Sequence, residues 1–202
     1  MRKWFIPLLV VGLIFSAGLL MRYWADGRDA RGATRLMRSL ESGADTRETD
    51  RLIARAGDVN VGDNEGHTAL FYAARHAKEA QPIEKLLAAG ADPNRADNDG
   101  QTPLFWAAEF NPNDQIVLVL IKGGANPNMT DKQGQTPLML AAAHNQKAVL
   151  DILLRAKADP SAKDQSGKTV ADYLAQNEEF TEQERTDYRQ AMLVLHLLRP
   201  LE

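Results

Sequence analysis

Apolar residues recur at helical spacing in short runs that are separated by polar, glycine-containing segments. In one run, Leu104, Ala107 and Ala108 fall at positions i, i+3 and i+4, so they share one face of a helix. A bulkier apolar run follows at residues 116–122, and Gly124 lies just beyond it. The pattern predicts a pair of short helices, in which the small alanine side chains let a neighbouring helix approach closely.

This pair of helices is repeated along the chain. The nonapeptide GQTPLFWAA at Gly100 returns as GHTALFYAA at Gly66 and as GQTPLMLAA at Gly134, at intervals of 34 residues. Weaker copies begin at Gly32 and Gly167. Self-similarity at this period predicts a stack of small supersecondary units, with degenerate terminal units that act as polar caps. We expect about five units, at residues 33–65, 66–99, 100–133, 134–166 and 167–202.

Each unit carries signals for the start and the end of its helices. Thr102 precedes Pro103, so we expect the threonine hydroxyl to cap a helix that begins at the proline, which has no N–H to leave unpaired. Gly90 and Gly124 stand where a left-handed residue ends the second helix of a unit. Lys157 occupies the corresponding place in the next unit, which predicts a weaker cap there.

The segments between units have the composition of tight turns. Asp97, Asp131 and Asp164 each stand three residues before a glycine, as in a four-residue turn that starts with Asp and ends with Gly. Helix, turn, helix and extended turn, with the pattern GxTPLxxAA…GADxNxxDxx, resemble the ankyrin repeat. The resemblance covers roughly residues 32–202 and is strongest over residues 61–173.

The resemblance implies an all-α ankyrin-repeat solenoid of antiparallel helix pairs. In this family β-hairpin fingers project at one edge, and the fingers and first helices form a concave face that commonly binds proteins. Phe71, Phe105 and Met139 depart from the family pattern, because they stand where ankyrin repeats usually have a histidine that ties neighbouring repeats. We interpret these three residues as an apolar replacement of that tie.

Charge and composition narrow the class of partner. The chain is 25% charged and 44% hydrophobic, which is ordinary for a globular domain, and its net charge is −3. Residues 1–25 contribute Arg2, Lys3 and Arg22 and no acidic residue, so the remainder has 21 basic and 27 acidic residues. A mildly acidic domain lacks the clustered cations that bind a phosphate backbone. We therefore expect no nucleic acid among its partners.

The residues needed for metal binding or catalysis do not occur in a recognisable arrangement. The chain has no cysteine, which excludes disulfides, thiolate metal sites and a cysteine nucleophile. The four histidines, His67, His76, His144 and His196, are scattered over three of the units without a metal-binding spacing, and surface or helix-capping roles are the ordinary interpretation. No nucleotide-binding or nucleophile motif is present. We expect no metal, no cofactor and no enzymatic activity.

The N-terminus contains an uncharged run, Trp4–Met21, preceded by Arg2 and Lys3. As a helix its 18 residues span about 27 Å, enough for a bilayer core. Aromatic residues at both edges favour a retained signal-anchor or transmembrane helix at residues 1–25, followed by a linker at 26–32. A cleaved signal peptide and a buried helix stay open as alternatives. We expect a single-pass protein of a bacterial inner membrane with its repeats in the periplasm, and otherwise a soluble periplasmic protein.

Candidate contact residues lie at the tips of the fingers and just after each Ala-Ala pair, where the first helices face the concave side. Large aromatic residues near the centre of a patch are the usual anchors of protein interfaces. Packing between repeats is the alternative role for Tyr72 and Trp106. The predicted protein-binding residues are Tyr72, Arg75, His76, Asp97, Asn98, Trp106, Glu109, Phe110, Lys132 and His144.

Two functional hypotheses follow. The first is a monomeric, non-catalytic protein–protein interaction module that is tethered to the membrane by the N-terminal helix. In its more specific form, this module is an inhibitor or immunity protein that captures a toxin or an enzyme. The alternative is a cytosolic or periplasmic scaffold or accessory protein that assists an enzyme or a complex.

Overall fold

A computed structural model describes residues 27–43, 46–144 and 146–197 of the 202-residue chain. This part of the chain forms ten α-helices and contains no β-strand. In chain order, the helices are α1 (Arg35–Ser42), α2 (Thr46–Arg55), α3 (Ala69–His76), α4 (Gln81–Ala88), α5 (Pro103–Phe110), α6 (Asp114–Lys122), α7 (Pro137–Ala143), α8 (Lys147–Arg155), α9 (Val170–Gln176) and α10 (Glu182–Leu197).

The helices pack in two layers, as expected for a solenoid of helix pairs. The first helices of the units, α1, α3, α5, α7 and α9, each contact the next one along the chain, and α2, α4, α6 and α8 do the same in the second layer. Leu70, Leu104 and Leu138 occupy equivalent positions in α3, α5 and α7, and all three are fully buried. The alanine pairs beside them are buried as well, which confirms that these small side chains form the contact surface between neighbouring first helices.

The residues that depart from the family pattern are also part of the core. Phe71, Phe105 and Met139 are completely or almost completely buried. Their burial agrees with an apolar replacement of the histidine tie, since burial of a large apolar side chain stabilises the junction between units by roughly 1.5–3 kcal/mol.

The starts of the first helices agree with the predicted residues but not with the predicted cap. Helices α5 and α7 begin at Pro103 and Pro137. The hydroxyl of Thr102 makes no capping hydrogen bond, whereas the hydroxyl of Thr136 accepts one from the backbone N–H of Met139 at 3.4 Å. The start of α5 therefore depends on Pro103, whose ring fixes φ at a helical value.

The ends of the second helices follow the glycine pattern. Gly90 and Gly124 have φ of 88° and 95°, in the left-handed region. Lys157, in the equivalent place, is the one non-glycine residue with positive φ in the described part of the chain, at 63°. A side chain in this conformation costs roughly 1–2 kcal/mol, and the weaker cap at the end of α8 stays a prediction.

The predicted β-hairpin fingers are tight turns instead, and we call them the inter-unit turns. In the turn at Asp97, the backbone N–H of Asp97 donates to the carbonyl of Gln101 at 2.8 Å. Its carboxylate Oδ1 accepts from the N–H groups of Asp99 and Gln101 at 2.8 and 2.9 Å. Gly100 also donates its backbone N–H to the carbonyl of Asp97 at 3.2 Å. These two backbone bonds close a turn that is too short for a strand ladder.

Adjacent inter-unit turns are joined to one another by backbone hydrogen bonds. Asn98 donates its N–H to the carbonyl of Glu65 at 2.9 Å, and Lys132 donates to the carbonyl of Asp99 at 2.8 Å. Asn64 donates in the same way to the carbonyl of Arg31 at 2.9 Å. Arg31 belongs to the segment predicted as a linker, residues 26–32. The C-terminal end of that segment is thus hydrogen-bonded to the row of turns.

Three asparagines at intervals of 34 residues, Asn60, Asn94 and Asn128, join each unit to the next. The amide nitrogen Nδ2 of Asn94 donates to the carbonyl of Gly124 at 2.9 Å, and its Oδ1 accepts from the N–H of Asn126 at 2.7 Å. Asn60 and Asn128 make the equivalent pairs of bonds. We call this row the asparagine ladder. It holds successive turns at a fixed spacing along the stack.

The predicted N-terminal helix, residues 1–25 with its apolar run Trp4–Met21, lies outside the described residues. Within the described ranges, no helix is both long and apolar enough to cross a membrane. The position of residues 1–25 as an anchor therefore stays a prediction.

Candidate functional site

A cavity of about 230 Å³ opens between the inter-unit turns and the first helices near the N-terminal end of the stack. Its walls come from the turns that contain Arg31 and Glu65, from α1, and from the faces of α3 and α5. We call it the concave cavity. It is lined by Arg31, Glu41, Glu65, His67, Phe71, Tyr72, Arg75, His76 and Trp106.

Aromatic rings form one side of the concave cavity. The ring centroid of Trp106 lies 4.9 Å from that of His67 and 5.6 Å from that of Phe110. Phe71 lies beneath them, with its centroid 5.3 Å from His67. Trp106 is half-buried, and Phe110 at the rim is 43% exposed. The cluster therefore extends from the core to the surface.

The guanidinium of Arg75 lies over two of these rings. Its Cζ atom is 4.6 Å from the ring centroid of Trp106 and 4.5 Å from that of Phe110. Both distances are within the range of a cation–π interaction. Arg75 comes from α3 and both rings come from α5, so this contact crosses the junction between two units.

His67 ties two inter-unit turns together. Its Nε2 lies 3.3 Å from Oδ2 of Asp97, and its Nδ1 lies 3.6 Å from Oδ2 of Asp63. Glu65 is near as well, with Oε2 at 3.5 Å from Nδ1, and the His67 side chain is only 13% exposed. Burial alone would lower the pKa of His67, but the hydrogen bond to Asp97 and the charges of Asp63 and Asp97 outweigh it and raise the pKa.

The surface or helix-capping interpretation of His67 is wrong, since its side chain is only 13% exposed and links the carboxylates of two turns. One signal in the sequence marks it: the equivalent positions of the next two units hold Gln101 and Gln135. Its partners belong to turns that lie 34 residues apart, so the pairing appears only once the turns are stacked.

Replacing His67 with glutamine, the residue of the next two units, is expected to remove a pH-dependent part of the stability. Because folding raises the pKa of His67, its contribution is fully present below the ordinary pKa of about 6.5 and is lost as the pH rises through the folded value. The free energy of unfolding of the wild type should exceed that of His67→Gln by more at pH 5.5 than at pH 9. Urea titrations at both pH values measure this, and an equal difference at the two pH values would contradict it.

Asp97 was predicted as a contact residue, but its side chain is only 3% exposed. Its carboxylate accepts the two backbone N–H groups of its own turn and pairs with His67. The turn and the histidine lower its pKa despite its burial, which would raise it. The structure therefore assigns Asp97 to the framework of the turns, not to a surface that a partner reaches.

The other predicted residues of the inter-unit turns are exposed. Asn98 lies at a turn, where its Nδ2 donates to the carbonyl of Asn64 at 3.0 Å. Lys132 is exposed on the next turn. These two positions remain accessible on the turn side of the concave face.

The remaining predicted residues lie on the first helices. Tyr72 is half-buried and its hydroxyl donates to Oδ2 of Asp63 at 2.8 Å, whereas His76 is exposed at the end of α3. Glu109 is half-buried, with Oε1 at 3.7 Å from Nε2 of the exposed His144. Burial raises the pKa of Glu109 and lowers that of His76.

Three charged residues of the cavity were not predicted: Arg31, Glu41 and Glu65. Arg31 donates from its two terminal nitrogens to both carboxylate oxygens of Glu41, at 3.2 and 2.9 Å. The sequence assigns Arg31 to a linker, which is why this pair was missed.

The residues of the concave cavity are suited to binding. They supply an aromatic surface, a stacked cation and an ion pair, all within the space between two turns and three helices. In the described ranges, no group of three or more metal-ligating side chains is arranged to hold an ion.

Comparison with known proteins identifies the repeats. No curated protein matches the chain. A family model described as ankyrin repeats (3 copies) matches residues 77–164. Ankyrin repeats suggest a protein–protein interaction module, and the family is generally non-catalytic. The all-helical stack of the described residues is consistent with this match.

Proposed function

We propose that this chain is a non-catalytic binding module whose protein partner docks on the concave face, around Arg75, Trp106 and Phe110. One observation carries the proposal: an aromatic residue that is 43% exposed stands on a half-buried tryptophan and a stacked arginine. Aromatic and arginine residues with a rigid, partly buried base are the side chains that dominate protein interfaces. Phe110 can bury its exposed area on a partner without any rearrangement of the residues beneath it.

We also propose a biological role and a cellular location for the chain. The uncharged run Trp4–Met21 supports a membrane tether, and the short basic start of the chain supports repeats on the periplasmic side of a bacterial inner membrane. A small tethered binder suits an inhibitor or immunity protein that captures a toxin or an enzyme. Protease treatment of intact spheroplasts tests the place, since periplasmic repeats would be digested and cytosolic repeats would be protected.

The binding surface is tested by affinity capture from membrane extracts with the immobilised chain. Phe110→Ala is expected to weaken capture of the main partner by about 2 kcal/mol, roughly 30-fold, because the truncation removes the aromatic surface that a partner would cover. Lys122→Ala, an exposed change at the end of α6 in the second layer, is the matched control and should retain full binding. Phe110 is at the rim, so circular dichroism should show equal thermal stability for both variants.

One outcome would contradict the proposed binding surface, and another would contradict the inhibitor role. Unchanged capture by Phe110→Ala, with loss by Lys122→Ala, would place the partner on the second helices. If the captured partner is an enzyme whose activity rises on binding, the chain is an accessory or scaffold protein instead of an inhibitor.

A further inference from the structure

The guanidinium of Arg75 is fixed in position, yet its hydrogen-bonding capacity is unused. In the described part of the chain it has ring contacts with Trp106 and Phe110, and no hydrogen bond or ion pair. An arginine that stacks on a ring uses the face of its planar group and leaves the N–H donors at the edge free. These donors form a rigid fork that matches a carboxylate.

The indole N–H of Trp106 is a second donor without an acceptor. Its Nε1 atom is inaccessible to solvent and has no hydrogen-bond partner. Buried N–H groups are almost always paired, so one without a partner calls for an explanation. Trp106 and Arg75 touch each other and both line the concave cavity, so an unpaired N–H lies in the wall directly beside the unpaired guanidinium.

Among the other charged groups of the site, Arg31 is paired to Glu41, and His67 lies beside the carboxylates of Asp63, Glu65 and Asp97. Burial disfavours the charge of Glu109, whereas the positive charges of His144, whose Nε2 lies 3.7 Å away, and of Arg75 favour it. The guanidinium of Arg75 itself has no carboxylate within ion-pair distance among the described residues. A cationic ligand would compete with Arg75 for the ring faces, whereas an anionic ligand would accept hydrogen bonds from its free N–H donors.

We propose that the concave cavity accepts the carboxylate of a Glu or Asp side chain of the protein partner, with Arg75 as its main ligand. This inference rests on the proposed function. A volume of about 230 Å³ is smaller than the ~300–1,000 Å³ of most small-molecule sites, and it suits one side chain. Phe110, exposed next to Arg75, supplies an apolar contact for the residue beside the acid. The partner segment therefore carries an acidic residue next to an apolar one.

Selection from a displayed library of random decapeptides on the immobilised full chain tests this inference. The best peptide is then synthesised with an amidated C-terminus, so that only side chains supply carboxylates, together with a form in which each Glu or Asp is replaced by Gln or Asn. The wild type is expected to bind the acidic peptide at least about tenfold more tightly than its amide form, since a hydrogen bond to a charged group is worth ~1.5–3 kcal/mol.

Two variants test whether Arg75 is the residue that binds the carboxylate. In Arg75→Gln, which keeps donors but removes the charge, the affinity ratio of the acidic and amide peptides should fall to about one. In Lys122→Gln, which removes an exposed charge from the second layer, the ratio should stay at the wild-type value. A ratio that survives in Arg75→Gln would show that another cation holds the acid and would overturn the assignment.

The remaining outcomes separate this inference from the proposed function. Peptides whose binding is weakened by Phe110→Ala but which show no preference for an acid would overturn the carboxylate site and leave the concave binding surface intact. Peptides insensitive to Phe110→Ala, or the absence of any selected peptide, would count against both.

Discussion

Replacing Gly100 with valine is expected to lower the free energy of unfolding by roughly 3–5 kcal/mol. Gly100 has φ of 83°, where a β-branched side chain is strained by about 1–3 kcal/mol. A Cβ atom would also lie 3.2 Å from the backbone nitrogen of Lys132 and 3.3 Å from the carbonyl carbon of Asp131. These are backbone atoms of the next turn, so relieving the contact must separate two turns that the Lys132–Asp99 hydrogen bond joins.

Gly90 provides the control for this prediction. Its φ of 88° is nearly the same, but nothing lies within 4 Å of an added Cβ atom. Gly90→Val should therefore cost only the conformational strain, about 1–3 kcal/mol. Denaturant titrations of both variants measure the difference, and equal losses would show that the close approach of the turns contributes nothing to stability.

Replacing Asn111 with alanine is expected to cost about 2–4 kcal/mol of stability. Asn111 is only 1% exposed, and its Nδ2 donates to the carbonyls of Ala74 and Ala77 at 2.8 and 3.0 Å. The carbonyls at the end of α3 have no partners within the helix, and each buried polar group left unpaired costs ~1–3 kcal/mol. Asn111→Asp should lose at least as much, because a carboxylate would face two carbonyl oxygens.

Asn113→Ala separates this effect from the loss of an ordinary side-chain cap. Its Nδ2 donates to the carbonyl of Lys78 at 2.8 Å and its Oδ1 accepts from the N–H of Gln115 at 3.0 Å, but both bonds are exposed to water. The expected loss is about 1 kcal/mol. Thermal or urea unfolding of both variants provides the measurement, and a larger loss for Asn113→Ala than for Asn111→Ala would refute this account of the buried amide.

Much of the fold follows from local signals in the sequence. Pro103 and Pro137 begin their helices, and Gly90 and Gly124 adopt the left-handed conformation, because these residue types restrict or permit φ by themselves. The apolar period then decides which face of each helix is buried. Strands were predicted only through the family resemblance. They do not form in the described residues, where the turn at Asp97 is closed by two backbone hydrogen bonds, from Asp97 N–H to Gln101 and from Gly100 N–H to Asp97.

The site could be predicted only in part, since its decisive contacts cross between units. Arg75 and Phe110 were identified from their positions after the Ala-Ala pairs, and their stacking depends on how closely α3 and α5 pack. His67 was missed because its partners are carboxylates of two different turns. Asp97 was misjudged for the same reason, as a single turn viewed alone does not show that its neighbour covers the side chain.

The division of the binding cluster between α3 and α5 has a consequence for cooperativity. In a linear array, the stability of the whole is the sum of the intrinsic stability of each unit and the coupling at each junction. Arg75 stands on one side of a junction, and Trp106 and Phe110 stand on the other. A partner bound to all three adds its free energy to that coupling alone. Partner binding is therefore expected to increase the number of units that unfold cooperatively around this junction, while the terminal units fray as they do in the free chain.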